Sequence, residues 1–167
     1  MGDREGDGQS VLLSRSFDVW VEIDAPRDAV FEALTSGDSL RKWWTDEAQV
    51  EPEAGGRVRY VWDRGGSSVV AEAEVIEFRR PERFSVRWLR VNGQPVDEDG
   101  ENMRGARWPV EQAWKLAAPS PGRTRLHLHD TGVSMAPDYD DVYESTGRGW
   151  VESLSRLKSW CEDGQGG

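Results

Sequence analysis

Hydrophobic and polar positions alternate with a period of two along much of the chain. Phe17, Val19, Val21 and Ile23 are separated by Asp18, Trp20 and Glu22, the pattern of a strand with one buried face. The alternation returns at Val58, Tyr60 and Trp62, at Ala71, Ala73 and Val75, and at Phe84, Val86 and Trp88. Two further runs carry Trp114 with Leu116, and Leu126 with Leu128. Gly55-Gly56, Asp63-Arg-Gly-Gly66, Arg80-Pro-Glu-Arg83 and Pro119-Ser-Pro-Gly122 stand between these runs as turns. Residues 92–107 are polar and acidic and read as an exposed loop.

The period changes to three and four at two places. After Asp24-Ala-Pro26, Ala29, Val30, Ala33 and Leu34 predict a helix whose first turn accommodates Pro26. Thr35-Ser-Gly37-Asp breaks it, and residues 39–44 read as a second short helical piece. Near the end, Tyr143, Gly147, Trp150, Leu154, Leu157 and Cys161 form one stripe on a long helix. Grouped strands with helices at the ends predict an α+β domain, a curved antiparallel sheet wrapped around the C-terminal helix, with two short helices after the first strand. The expected boundaries are a disordered head over 1–13, one domain over 14–161 and a disordered tail over 162–167.

Composition narrows the classes. With 167 residues, a single domain with a sizeable core is expected. No apolar run reaches the ~20 residues of a membrane helix, and residues 1–8 lack the apolar core of a signal peptide. One cysteine, Cys161, excludes an internal disulfide and fits a reducing, cytoplasmic setting. A net charge of -10 argues against nonspecific nucleic-acid binding and leaves room only for a small basic patch. Nine tryptophans in so short a chain call for an explanation.

Several segments together resemble the SRPBCC (START/Bet v-like) superfamily. They are Ile23-Asp-Ala-Pro-Arg-Asp-Ala-Val-Phe-Glu-Ala-Leu-Thr35, Leu40-Arg-Lys-Trp-Trp44, Glu74-Val-Ile-Glu-Phe78, Pro81-Glu-Arg-Phe-Ser-Val-Arg-Trp88, Gly122-Arg-Thr-Arg-Leu-His-Leu-His-Asp-Thr-Gly132 and Gly149-Trp150. The branch they are most similar to is the activator of heat-shock protein 90 ATPase homologue family, over residues 16–161. The resemblance implies a helix-grip fold with seven strands and a cavity under the helix, so one strand lies in a stretch read as loop. It also implies a chaperone as a partner to consider. Its last strand often carries His where this chain has Asp130.

Tyr60, Trp62, Trp88 and Trp114 share strand faces with Val58, Val86 and Leu116. They are expected to line a space beneath the helix, with Tyr143, Gly147 and Trp150 approaching from the helix side. Such rings suit a small apolar or aromatic ligand, oriented by the Trp and Tyr polar tips. Gly147 opens room for a ligand or admits a strand closely. Trp20, on the outer face between Asp18 and Glu22, suggests a partner surface or that of a homodimer. His127 and His129 share one strand face, but spacing supplies no third ligand, so neither a metal nor a cofactor is implied. No inward carboxylate stands out, which ranks a cyclase- or dehydratase-type enzyme below a binding protein and an interaction protein.

Overall fold

The computed structural model describes residues 14–98, 101, 102, 104 and 109–163. The expected head, and the tail beyond Asp163, lie outside them. The order is β1 (Ser14–Ile23), α1 (Arg27–Thr35), α2 (Gly37–Trp43), β2 (Glu47–Val50), β3 (Arg57–Asp63), β4 (Ser68–Arg79) and β5 (Arg83–Val91). Three two-residue pieces follow: β6 (Gln94–Pro95), β7 (Asp97–Glu98) and β8 (Glu101–Asn102). β9 (Glu111–Ser120), β10 (Arg123–Ser134), a 3-10 turn at Pro137–Tyr139 and α3 (Asp140–Glu162) complete the chain. Glu162 is helical, one residue past the expected domain boundary, and accepts the backbone N–H of Asp24.

The strands form one antiparallel sheet in the order β1-β10-β9-β5-β4-β3-β2, with β6 beside β5. The seventh main strand is β2, not a piece of the 92–107 segment. Its four residues pair with β3 from Glu47↔Val61 to Val50↔Val58. Only Ala48 and Val50 turn towards the core, too short an alternation to be read from sequence.

The inward residues of the sheet meet the inward stripe of α3. Leu126, Leu128 and Val86 are fully buried from the strands, and Leu157 from the helix. Each such side chain stabilises the fold by about 1.5–3 kcal/mol relative to exposure. α1 supplies Val30, Phe31 and Leu34 to the same core. Ser36 ends α1 and starts α2, its hydroxyl accepting the Ser39 N–H at 3.3 Å. That tight junction places Trp43 in the core and Trp44 at its rim, beneath α3. No helix among the described residues is long and apolar enough to cross a membrane.

Candidate functional site

A pocket of about 230 Å³ opens where the sheet meets the middle of α3. Trp44 enters it from the end of α2, Trp62 from β3, Trp88 from β5 and Trp150 from α3. Gln112, Arg64, Arg104, Thr146, Gly149 and Ser153 complete the wall. The volume falls just under the usual range for drug-sized ligands and exceeds a ~150 Å³ cavity that takes benzene, so it fits one small ring system.

The rings form a continuous chain. Trp88 stacks near Trp62 (6.3 Å, 21°), Trp62 meets Trp44 edge-on (5.3 Å, 71°), and Trp44 meets Trp150 (5.5 Å). Centroid separations of this size are favourable aromatic contacts. Three of the four polar tips are bonded within the protein. Trp62 Nε1 donates to the Trp44 carbonyl at 3.1 Å, Trp88 Nε1 to Gln112 Oε1 at 3.2 Å, and Trp150 Nε1 to Asp130 Oδ2 at 2.7 Å. The indole tips, expected to orient a ligand, are instead tied to the protein, which leaves the ring faces turned to the pocket. Arg64, Arg104, Thr146, Ser153 and Gln112 are the polar side chains of the wall.

Asp130 overturns a second expectation, that no carboxylate points inward. It is fully buried. Besides Trp150, it accepts Arg104 Nη1 at 3.1 Å. Arg104 also donates to the Thr131 carbonyl. The parity of β10 carries the signal: the alternation that turns Leu126 and Leu128 inward also turns Asp130 inward. With two charge-assisted donors on it, Asp130 holds Trp150 and Arg104 in place. It is not among the residues that line the pocket.

The structure divides the residues singled out from sequence into three groups. Trp62, Trp88 and Trp150 line the pocket together. Tyr60 and Trp114 are buried behind it, Tyr60 against Trp44 (4.9 Å) and Trp114 edge-on to Trp150 (5.6 Å). Burial pushes the Tyr60 phenol well above its ordinary value of 10.0. Tyr143 and Gly147 lie elsewhere, on a shallow apolar groove of about 610 Å³ with Phe17, Val19, Arg148 and Val151. Tyr143 stacks on Phe17 at 4.2 Å. A Cβ at Gly147 would stand 3.1 Å from Phe17 Cε1. Between the two readings of Gly147, close approach of a strand describes its surroundings.

Sequence reasoning missed Trp44, Gln112, Arg104, Arg64 and Ser153. The Trp43-Trp44 pair is the readable signal. Trp43 points inward and donates to the Ala33 carbonyl at 2.9 Å, so its neighbour must face the rim. Arg64 and Arg104 lie outside the regular strands, where no periodicity assigns a face.

On the outer sheet face, Trp20 is 62% exposed and its ring stacks on His127 (4.6 Å, 4°). His127 Nε2 and His129 Nδ1 both contact Asp18 Oδ1 at 2.8 Å. Partial desolvation works to raise the Asp18 pKa, but the two histidine hydrogen bonds and their charges prevail and hold it below 3.8.

The family model of the Activator of Hsp90 ATPase homolog 1-like proteins matches residues 24–162. The chain belongs to this family. It is a branch of the SRPBCC superfamily, and the sheet gripping α3 is its helix-grip fold. Similar solved structures share that fold. A Mesorhizobium loti protein superposes with a TM-score of 0.70 at 21% identity, covering 90% of this chain and 98% of its own. The Aha1 dimer from Colwellia psychrerythraea gives 0.67 at 16%, covering 89% and 96%. An HSP90 activator from Plasmodium falciparum gives 0.62 at 18%, covering 86% and 94%. Comparison with curated proteins finds no match.

Proposed function

We propose that this domain binds a small planar aromatic molecule in the pocket between Trp44, Trp62, Trp88 and Trp150. One observation carries the reading: the indole N–H groups of the last three are each tied to the protein, so their π faces are held around a space of about 230 Å³. Fixed rings bind a ligand without a further ordering cost, which is the benefit of preorganisation. Apolar burial at roughly 25 cal/mol per Å² supplies most of the affinity. Exposed Arg64 at the mouth favours a ligand bearing a carboxylate. Asp130 ranks this above the enzyme reading, because its oxygens are engaged by Trp150 and Arg104 rather than presented to the pocket.

The test is tryptophan fluorescence and thermal shift against naphthalene and indole carboxylates, with aliphatic carboxylates of equal charge alongside. Saturable quenching with a raised Tm for the aromatic acids alone is expected, since a ligand that binds only the native state stabilises it. Trp62→Ala and Trp88→Ala should abolish both responses. Silence across the panel, or an equal response to the aliphatic acids, overturns the reading. A chaperone-partner reading draws on the family's description alone.

A further inference from the structure

The outer face of the sheet carries a row of residues in direct cross-strand register. Trp20 on β1 stands opposite His127 on β10, His127 opposite Lys115 on β9, Lys115 opposite Arg83 on β5, and Arg83 opposite Arg79 on β4. These five residues line one groove of about 470 Å³, together with Glu82 and Arg125. Like charges directly opposite each other in a sheet are destabilising. Yet Lys115 and Arg83 are neighbours, both exposed, and neither has an ion-pair partner among the described residues. The other members are held: Arg79 by Glu82 at 3.7 Å, Arg125 by Glu22 at 2.9 Å, and His127 by Asp18. In a chain with 31 acidic and 21 basic residues, two adjacent unpaired cations beside an exposed tryptophan are not what the fold requires.

We infer that this groove docks a short acidic segment of a partner protein, its carboxylates over Lys115 and Arg83 and an apolar side chain over Trp20. Charge complementarity selects the sign. The length follows from the sheet. Four strand spacings of about 4.8 Å make a row of roughly 19 Å, which an extended peptide spans in about six residues, with alternate side chains facing the sheet. The surroundings disfavour a long polyanion such as nucleic acid. The adjacent row runs Asp18, His129, Ala113, Ser85 and Glu77, with a carboxylate at each end and His129 held by Asp18. Glu22 and Glu82 bound the other side. A phosphate chain leaving the groove would run onto these carboxylates, whereas a six-residue acidic segment ends where the cations end. The exposed face of Trp20, opposite the face stacked on His127, is a platform for the apolar residue.

The test is selection of displayed random peptides on the full chain, with counter-selection on the double charge reversal Arg83→Glu, Lys115→Glu. Enriched peptides should carry two carboxylates and one apolar side chain at alternate positions within six residues. A synthetic peptide of that sequence should bind about tenfold more weakly to the double reversal and several-fold more weakly to Trp20→Ala, and should weaken as salt rises. Lys115→Gln guards against misfolding: it should bind more weakly while its Tm equals or exceeds that of the parent. The aromatic-acid response of the inner pocket should persist in every variant, which separates a failure here from a failure there. Enrichment without acidic residues, or equal enrichment on the double reversal, overturns the inference. So does tighter binding of a single-stranded oligonucleotide that the reversal abolishes. Self-association that the reversal abolishes overturns it in favour of a second copy of this chain.

Discussion

Asp130→Ala tests whether one buried carboxylate holds the pocket together. The substitution removes the acceptor of Trp150 Nε1 and the counter-charge of Arg104, whose side chain is 12% exposed. Breaking a buried ion pair by deleting one partner costs about 3–5 kcal/mol, because the donors that met the carboxylate lose it inside the protein. The orphaned indole N–H lies within that figure. Against a total stability of about 5–15 kcal/mol, this is a large fraction. With a urea m-value near 2 kcal/mol/M, the midpoint should fall by about 1.5–2.5 M at unchanged m. Asp130→Asn keeps an acceptor for Trp150 but loses the charge, so it should cost less, about 1.5–3 kcal/mol. A double-mutant cycle with Trp150→Phe should give a coupling of about 1–3 kcal/mol. Equilibrium urea unfolding, followed by tryptophan fluorescence and circular dichroism, measures all three. A loss below about 1 kcal/mol for Asp130→Ala, or no coupling to Trp150, would refute the positioning role.

Further outcomes can be checked in the same assays. Gly149 sits inside α3 with nothing within 4 Å of the position a Cβ would take, so Gly149→Ala should stabilise the helix by about 1 kcal/mol. It also adds a methyl to the pocket wall, so aromatic ligands should bind more weakly as stability rises. Gly147→Val should instead destabilise, since Phe17 Cε1 already stands 3.1 Å from the Cβ position. The Asp18 carboxylate is held below 3.8 in the folded state, so its stabilisation is present above that pH and is lost as pH falls through the lowered value. Wild type should therefore exceed Asp18→Asn in Tm at neutral pH, and the gap should close in strongly acidic buffer.

The strand alternation and the stripe of α3 were legible because burial on one face imposes a period, and six of the seven main strands announced themselves that way. Parity also assigned His127 and His129 outward and Trp62 and Trp88 inward. It was sufficient to place Asp130 inward too, but chemical type concealed it: a carboxylate on a core face makes sense only once Trp150 and Arg104 are seen to meet it. β2 escaped because four residues with two weakly apolar side chains carry almost no periodic signal. Tyr143 and Gly147 share a helix with Trp150 but meet a different part of the sheet, and a stripe broad enough to face the core cannot tell which strand lies under each turn.

By itself, the sequence determined the class of fold, the single core and the abundance of rings facing it, since these follow from local periodicity and composition. Only the tertiary structure decided which rings share a pocket, that their N–H groups are occupied, and that Trp20, His127, Lys115, Arg83 and Arg79 stand in one row. Those facts depend on register between strands far apart in the chain. Register is set by the combined packing of the whole sheet against α3, and no single segment contains it.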